Sequence, residues 1–207
     1  MVRSLSLAAV GLALCATAPA LAQTFELSPY FGVYAPLTNV VDEQGFEVRH
    51  VTAAAFGGRV TLWLPGRLGV EVTLMSAASD LEAEDNGTQL DCAFDFECDA
   101  WVLAASTKLL VRLGPLRGSS VHLGLGPSFL TRNGDGYEGA EGRSHFGGVF
   151  DAGARLRVGS RTFVRLDIED YVGSTDFEIG VFQPFQTQSQ TQHDVVFSLG
   201  LQFRLGL

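Results

Sequence analysis

Long apolar runs are absent from this sequence beyond residue 22. A helix that crosses a membrane needs about 18 or more consecutive apolar residues, and no later segment supplies them. Positive charge is also scarce, because 14 Lys and Arg stand against 23 Asp and Glu and give a net charge of −9. This acidity argues against nucleic acid as a partner, since proteins bind phosphates through Lys and Arg. Because the chain has no apolar run long enough for a spanning helix, any membrane crossing by residues after 22 must use strands.

Cysteine is rare, and the first of the three cysteines lies in a segment that predicts a secretion signal. Arg3 supplies a short positive region, residues 5–14 an apolar one, and Ala20-Leu21-Ala22 a small-residue cleavage site. We predict a signal peptide over 1–22, Sec-type export, and a single domain over 23–207. Cys15 then belongs to the removed leader, because Leu14 precedes it where a lipoprotein signal has a small residue.

The remaining cysteines, Cys92 and Cys98, lie in the acidic loop sequence D-C-A-F-D-F-E-C-D. An exported chain meets an oxidising compartment, so a disulfide is favoured there over a zinc site, which would want His partners. The stretches 82–87 and 133–136 are similar to the first part of a twelve-residue calcium loop. When their last glycine is aligned with the glycine at position six of that loop, Ala93 and Gly142 stand at position twelve, where Glu is required. We predict no cofactor and no metal, and leave calcium binding by the loop carboxylates open.

Catalytic side-chain sets are lacking as well. Ser144 precedes His145, and His193 precedes Asp194, but neither pair shows the nucleophile, base and orienting group of covalent catalysis. We expect His50, His145 and His193 to be polar groups near loop ends. The sequence therefore predicts a protein that is not an enzyme.

The last segment, residues 194–207, alternates between apolar residues and small or polar ones. One face carries Val195, Phe197, Leu199, Leu201, Phe203, Leu205 and Leu207, and the other carries Val196, Ser198, Gly200, Gln202, Arg204 and Gly206. Successive side chains on a strand point to opposite sides. The segment predicts a strand that is apolar outside and polar inside, and about 9–11 residues suffice to cross a bilayer.

Seven earlier segments repeat this alternation. We predict strands over 25–35, 52–64, 68–77, 100–113, 120–130, 144–158 and 162–171, with 194–207 as the eighth. The connections alternate between long segments (37–51, 79–99, 131–143, 172–193) and short turns (65–67, 114–119, 159–161). This asymmetry is typical of outer-membrane barrels. The predicted fold is all-β, an eight-stranded antiparallel up-and-down transmembrane β-barrel with short periplasmic turns and long extracellular loops.

Charged residues of both signs occupy inward positions of the predicted strands. They are Glu26, Arg59, Glu71, Lys108, Arg112, Asp151, Arg155, Arg157, Arg165, Asp167, Glu169 and Arg204. An eight-stranded barrel is just wide enough for side chains to fill it, and an unpaired buried charge is costly. We therefore predict a plug of salt-bridged side chains, with a gated ion path along the same charges as the alternative.

The mature chain resembles the small outer-membrane β-barrel proteins, the group that includes OmpX and the membrane domain of OmpA. The resemblance rests on F-E-L-S-P-Y-F-G-V-Y from Phe25, F-G-G-R-V-T-L-W-L-P-G-R-L-G-V-E from Phe56, R-L-D-I-E-D-Y from Arg165 and S-L-G-L-Q-F-R-L from Ser198. It implies residence in the outer membrane of a Gram-negative-type bacterium. It also implies insertion by an assembly machinery that reads the terminal strand. That strand usually ends in an aromatic residue, whereas this one ends in Leu207.

The function expected on this basis is a structural or surface-interaction role of the adhesion type, carried by the extracellular loops. The expected partners are outer-membrane lipid, lipopolysaccharide, the assembly machinery and an extracellular ligand, and the barrel is expected to be a monomer. The alternatives are a narrow pore or small-solute transporter, a lipid-modifying enzyme, and a soluble lipocalin-like barrel with its faces reversed. No motif of the lipid-modifying barrels can be matched residue by residue.

Overall fold

The computed structural model describes residues 23–43, 45–90, 98–115, 118–138, 143–175 and 190–205. These ranges contain β1 (Thr24–Pro36), β2 (Val41–Glu43), β3 (Phe46–His50), β4 (Ala53–Trp63), β5 (Leu68–Ala78), β6 (Leu81–Asp85), β7 (Thr88–Gln89), β8 (Trp101–Leu113), β9 (Ser120–Asn133), β10 (Ser144–Arg157), β11 (Thr162–Thr175) and β12 (Gln190–Leu205), with one short 3₁₀ turn (Asp135–Tyr137). Among the described residues, no helix has both the length and the apolar character needed to cross a membrane.

Eight of these strands close into a barrel in the order β1-β12-β11-β10-β9-β8-β5-β4. Neighbouring strands are antiparallel, and β1 pairs with both β12 and β4 and so closes the sheet on itself. The predicted eight-stranded barrel is confirmed, with strand ends that differ by a few residues. The last strand begins at Gln190, earlier than predicted, and the predicted end of that strand at Leu207 lies outside the described residues.

The two faces of the barrel differ in chemistry. In β5, buried and exposed residues alternate along the whole strand, so that Glu71, Thr73 and Met75 point inward. Large apolar side chains point outward, including Phe31 and Leu125, whose exposed fractions are 60% and 61%. A wall with an apolar exterior and a polar interior suits a lipid surround. It is the reverse of a lipocalin, so the soluble-barrel alternative is wrong.

The remaining four strands form a second sheet, in the order β2-β3-β6-β7. This sheet lies beyond the end of the barrel that carries the long connections, which we call the loop end. The segments that contain it, 37–51 and 79–99, were predicted to be loops, and that prediction is wrong for the strands they form. The apolar residues Val48, Leu81 and Ala83 face one small core with Ala100 and Tyr137. Each of these strands has five residues or fewer, so the alternation of apolar and charged residues is too short to stand out in the sequence.

Two of the short turns depend on glycine. Gly66 follows β4 with φ +105°, and Gly114 follows β8 with φ +102°. These φ values lie in the left-handed region, which other residues adopt at a cost. The turns and the first residue of β1 lie at the same end of the barrel, which we call the turn end.

Candidate functional site

The charged barrel interior is the candidate site, and its side chains form three clusters along the barrel axis. The central cluster comprises Arg59, Glu71, Lys108, His122, Asp151, Arg165, Asp167 and Glu169. The turn-end cluster comprises Glu26, Trp63, Arg112, Arg155, Phe163 and Arg204. The loop-end cluster comprises Tyr34, Arg132, His145 and Asp194.

The central cluster follows directly from the strand period. Arg165, Asp167 and Glu169 are two residues apart on β11, so all three side chains point into the barrel. Lys108 stands directly opposite Glu71 in the β5–β8 ladder. Alternation thus delivers charges of both signs to one level of the lumen.

Arg59 and Lys108 hold the centre of this cluster. Arg59 Nη2 lies 2.6 Å from Glu169 Oε2, and Nη1 lies 3.4 Å from Asp167 Oδ2. Lys108 Nζ lies 3.0 Å from Glu71 Oε1 and 3.2 Å from Asp151 Oδ2, and it also contacts Glu169. The side chains of all these residues have no exposed surface. The charges therefore neutralise one another across the lumen.

Arg165 and His122 complete the central cluster. Arg165 Nε donates to both carboxylate oxygens of Asp167 at 2.9 Å, and its Nη2 lies 3.0 Å from Glu71 Oε1. His122 Nε2 lies 2.9 Å from Asp167 Oδ1. His122 therefore adds a ring nitrogen to the polar contacts that Arg165 and Arg59 make with Asp167.

Two groups of oxygens and nitrogens in the central cluster have the spacing of metal ligands. These groups are His122 with Asp151 and Asp167, and Glu71 with Asp151 and Glu169; the ligand atoms of each lie within 4.8 Å of one another. Lys108 and Arg165 already place cationic nitrogens against these carboxylates. The arrangement therefore acts as an ion-pair network.

The turn-end cluster is built around one carboxylate. Glu26 Oε2 accepts hydrogen bonds from Trp63 Nε1 and Arg155 Nη1, both at 2.7 Å, and Oε1 accepts from Arg204 at 3.3 Å. The guanidinium of Arg112 stacks on Trp63, with 3.7 Å from Cζ to the ring centroid. Cation–π contact stabilises a guanidinium that has left water.

The loop-end cluster links the barrel to the second sheet. Arg132 Nη2 lies 2.6 Å from Asp194 Oδ2, and Tyr34 donates to the same carboxylate. Beyond it, His50 Nδ1 lies 2.7 Å from the carbonyl oxygen of Ser79, and Nε2 lies 2.7 Å from the Tyr137 hydroxyl. Burial, and then the positive charge of Arg132, lower the pKa of His50 to about 4. This histidine is a buried, neutral structural group at the end of β3.

The structure places all the predicted interior charges inside the barrel except Arg157. Arg157 is the last residue of β10, its side chain is exposed, and its Nε donates to the carbonyl oxygen of Gly159 at 2.9 Å. Its inward placement was wrong because the lumen ends before the strand does. Arg204 lies at the mouth, with 24% of its side chain exposed.

The predicted set of interior charges lacked several members of the clusters, among them His122, Arg132 and Asp194. His122 stands on the inward face of β9 but was not among the predicted interior charges. Arg132 and Asp194 lie inward near the loop end of β9 and β12, one beyond a predicted strand end and the other at a predicted strand start. Following the alternation two residues further along β9 would have found Arg132.

Some of the other predicted groups lie among the described residues and some lie outside them. Cys92 lies outside the described residues, so its disulfide with Cys98 stays a prediction, as does the signal peptide over 1–22. Ser144 Oγ donates to Thr131 Oγ1 at 2.8 Å, and His193 Nδ1 lies 3.0 Å from Asp170. The hydroxyl of Ser144 thus bonds a threonine, and the ring of His193 lies against Asp170.

The closed barrel, its apolar outer wall and its charge-filled lumen define an integral outer-membrane β-barrel protein. The family model described as the outer membrane protein beta-barrel domain matches residues 7–205. The chain belongs to this family and resides in the outer membrane of a Gram-negative bacterium.

Solved structures support the same fold. OprG of Pseudomonas aeruginosa superposes with a TM-score of 0.62 at 11% identity, covering 90% of this chain and 97% of OprG. AlkL, determined in lipid bilayers, gives 0.60 at 13% identity, with 93% and 95% covered. Ail of Yersinia pestis gives 0.51 at 10% identity, with 89% and 99% covered. A comparison with curated proteins finds no match.

Proposed function

We propose that this protein is a non-conducting outer-membrane anchor that presents the β2-β3-β6-β7 sheet at the cell surface as a recognition platform. The observation that carries the proposal is the central cluster. Its cations and carboxylates meet from strands on opposite sides of the barrel, and Arg59, Lys108 and Glu169 are completely buried. A lumen filled in this way leaves the outer sheet as the part that can meet a partner.

The second sheet is suited to recognition because it is held rigidly. Hydrogen bonds join Val51 N to Asp80 O at 2.9 Å and Leu81 N to Cys98 O at 2.8 Å. The buried contact between His50 and Tyr137 ties β3 to the loop after β9. A preorganised surface loses little conformational entropy when it binds.

The charge of the platform favours a cationic partner. Glu47, Glu84 and Asp85 are exposed on it, whereas the exposed Arg49 is paired with Glu82 at 3.1 Å. Ail, which shares the fold, has been crystallised with the heparin analogue sucrose octasulfate, a polyanion. An acidic platform would repel such a ligand, so the partner we propose here carries the opposite charge.

Two covalent features also belong to the proposal. The leader over 1–22 is removed, and Cys92 and Cys98 form a disulfide that closes the outer loop. The barrel is inserted by the assembly machinery as a monomer and contacts lipopolysaccharide at its outer rim. We propose no catalytic role. Intact mass spectrometry of the non-reduced mature protein tests both covalent features, and two free thiols or a retained leader would contradict them.

The platform is tested with protein in nanodiscs of neutral lipid and a deca-lysine peptide as the cationic probe. Replacing Glu47, Glu84 and Asp85 by Gln should weaken binding at least about tenfold, because three attractive charges are lost. The matched control replaces Asp135 and Glu138, exposed carboxylates on another outer loop, and should change binding little. Equal binding by both variants would contradict the platform.

The rival function, a narrow pore or small-solute transporter, is tested in a planar bilayer. The proposed plug predicts no discrete current steps for the folded wild-type protein. Regular openings would favour the pore, and the platform would then be an entrance rather than a binding surface.

A further inference from the structure

A cavity of about 670 Å³ lies on the outer, lipid-facing wall of the barrel, and we call it the wall groove. Its outward side chains come from five neighbouring strands and are all apolar. Leu123 stands opposite Ala152, and Ala152 stands opposite Ile168. The row continues through Phe197 to Val33. Because the small Ala152 lies between larger neighbours, the wall is hollow there, and the volume is that of a typical ligand pocket.

The wall groove continues to the turn end of the barrel. A second cavity of about 410 Å³, which we call the rim cavity, lies there, and Val121 and Ala154 line both cavities. Val121 is one residue from the start of β9, whereas Phe31, at the far side of the wall groove, lies in the middle of β1. The groove therefore rises obliquely from the rim. Its four strand spacings of about 4.8 Å give a length of about 19 Å. One acyl chain from one leaflet, about half of a 30 Å hydrocarbon core, fits this length.

The charge at the turn end is positive. Each of the three short turns contains one arginine and no Asp or Glu, the arginines being Arg67, Arg117 and Arg161. Arg161 is exposed and lies in the turn between β10 and β11, two of the strands that form the wall groove. Ser119 adds a hydroxyl to the lining of the rim cavity. Arginine near a membrane surface attracts anionic headgroups.

We propose that the wall groove holds an acyl chain of one anionic phospholipid of the periplasmic leaflet, with its headgroup at the rim cavity. The short turns of outer-membrane barrels face the periplasm, so the groove opens toward that leaflet. Contact with the apolar side chains along the groove stabilises the chain. Guanidinium groups donate charge-assisted hydrogen bonds to phosphate oxygens, so Arg161 favours a headgroup with a net negative charge.

The test is native mass spectrometry of the full mature barrel in a maltoside detergent. Phosphatidylglycerol and phosphatidylcholine with the same acyl chains are the probes, and the wild-type protein should retain one phosphatidylglycerol. Ala154→Leu should weaken its binding at least about tenfold, because the larger side chain displaces at least two chain methylenes where the cavities join. Arg161→Gln should weaken phosphatidylglycerol binding about fivefold and leave phosphatidylcholine binding unchanged. Heat-modifiable gel mobility shows that each variant is folded.

Two variants serve as matched controls. Ala105→Leu makes the same change on the outward face of β8, at a residue that lines neither cavity. Arg143→Gln removes an exposed arginine directly before β10, at the loop end. Both should bind phosphatidylglycerol within about twofold of the wild-type value.

Three results would overturn the proposal. Equal retention of the two phospholipids would remove the headgroup preference. Equal effects of Ala154→Leu and Ala105→Leu would mean that the lipid is part of the general lipid shell. Retention of added lipopolysaccharide in place of phosphatidylglycerol, weakened by Ala154→Leu, would assign the groove to the other leaflet.

Discussion

Arg59 on β4 and Glu169 on β11 meet across the barrel, with 2.6 Å between Nη2 and Oε2 and no exposed surface on either side chain. The two strands are separated by β1 and β12 in the closed sheet, so this ion pair spans the lumen. It also sits beside Tyr30, whose ring centroid lies 3.8 Å from the Arg59 guanidinium carbon. A contact of this kind links strands across the lumen, so we expect the interior side chains to stabilise the folded barrel.

Removing one partner of this pair should destabilise the barrel strongly. Arg59→Met leaves Glu169 buried without its guanidinium, and breaking a buried pair from one side costs about 3–5 kcal/mol. Urea unfolding of the barrel in lipid vesicles measures the change. Arg49→Gln, in the exposed pair with Glu82, should cost no more than about 1 kcal/mol. A double variant, Arg59→Met with Glu169→Met, should recover much of the loss. Equal effects of the buried and exposed single variants would argue against the plug.

Lys108 is the residue whose loss should open the lumen. Lys108→Met removes the ammonium that contacts Glu71, Asp151 and Glu169, and the remaining carboxylates would attract water and cations. We expect discrete, cation-selective current steps in a planar bilayer where the wild-type protein shows none. Arg157→Met, which changes an exposed charge of the same barrel, should stay silent. A folded but silent Lys108→Met variant would show that other side chains close the lumen.

The second sheet should loosen in mild acid. The folded state holds the pKa of His50 at about 4 by burial, whereas the usual value is 6.5. Between these values the unfolded segment binds a proton that the folded one does not, so stability falls as pH falls through this range, by about 1.4 kcal/mol per unit at most. Amide-exchange protection of β3 and β6 at pH 7 and pH 5 measures it. His50→Gln should make protection independent of pH, and an unchanged pH dependence in that variant would place the cause elsewhere.

A glycine pair tests the close packing of the wall. A Cβ at Gly126 would overlap the carbonyl oxygen of Thr107, whereas a Cβ at Gly58 would meet nothing. Gly126→Ala should therefore destabilise the barrel by about 1–3 kcal/mol, because the neighbouring strand must move. Gly58→Ala should be neutral or stabilising by up to about 1 kcal/mol, through the unfolded state. Urea midpoints of the two variants should differ in that order, and the reverse order would contradict the register of β8 and β9.

The lipid-facing wall predicts a depth-dependent cost for charge. Leu125 lies on the outer face of β9 well inside the strand, and Val121 lies on the same face near the turn end. Leu125→Arg should cost about 2–4 kcal/mol and Val121→Arg about 1 kcal/mol or less, because the second side chain can reach the interface. Unfolding from vesicles measures both. Similar costs at the two positions would mean that this face does not contact the bilayer core.

The strands and their faces were predictable because they depend on local alternation. Arg165, Asp167 and Glu169 point inward whatever the rest of the chain does, and β5 keeps its pattern from end to end. The prediction failed where the local signal is short or ends early. Arg157 has the right parity but lies beyond the lumen, and β3 and β6 are too short for their alternation to stand out among charges.

The sequence by itself determined that the chain crosses the outer membrane as a barrel with charges inside, because a period of two assigns every strand residue to one face. Only the tertiary structure decided which charges meet. Arg59 and Glu169 are 110 positions apart, and their contact depends on the stagger between neighbouring strands and on the closure of the sheet. The same holds for the second sheet, where strands from two separate loops bury a core that neither loop could form alone.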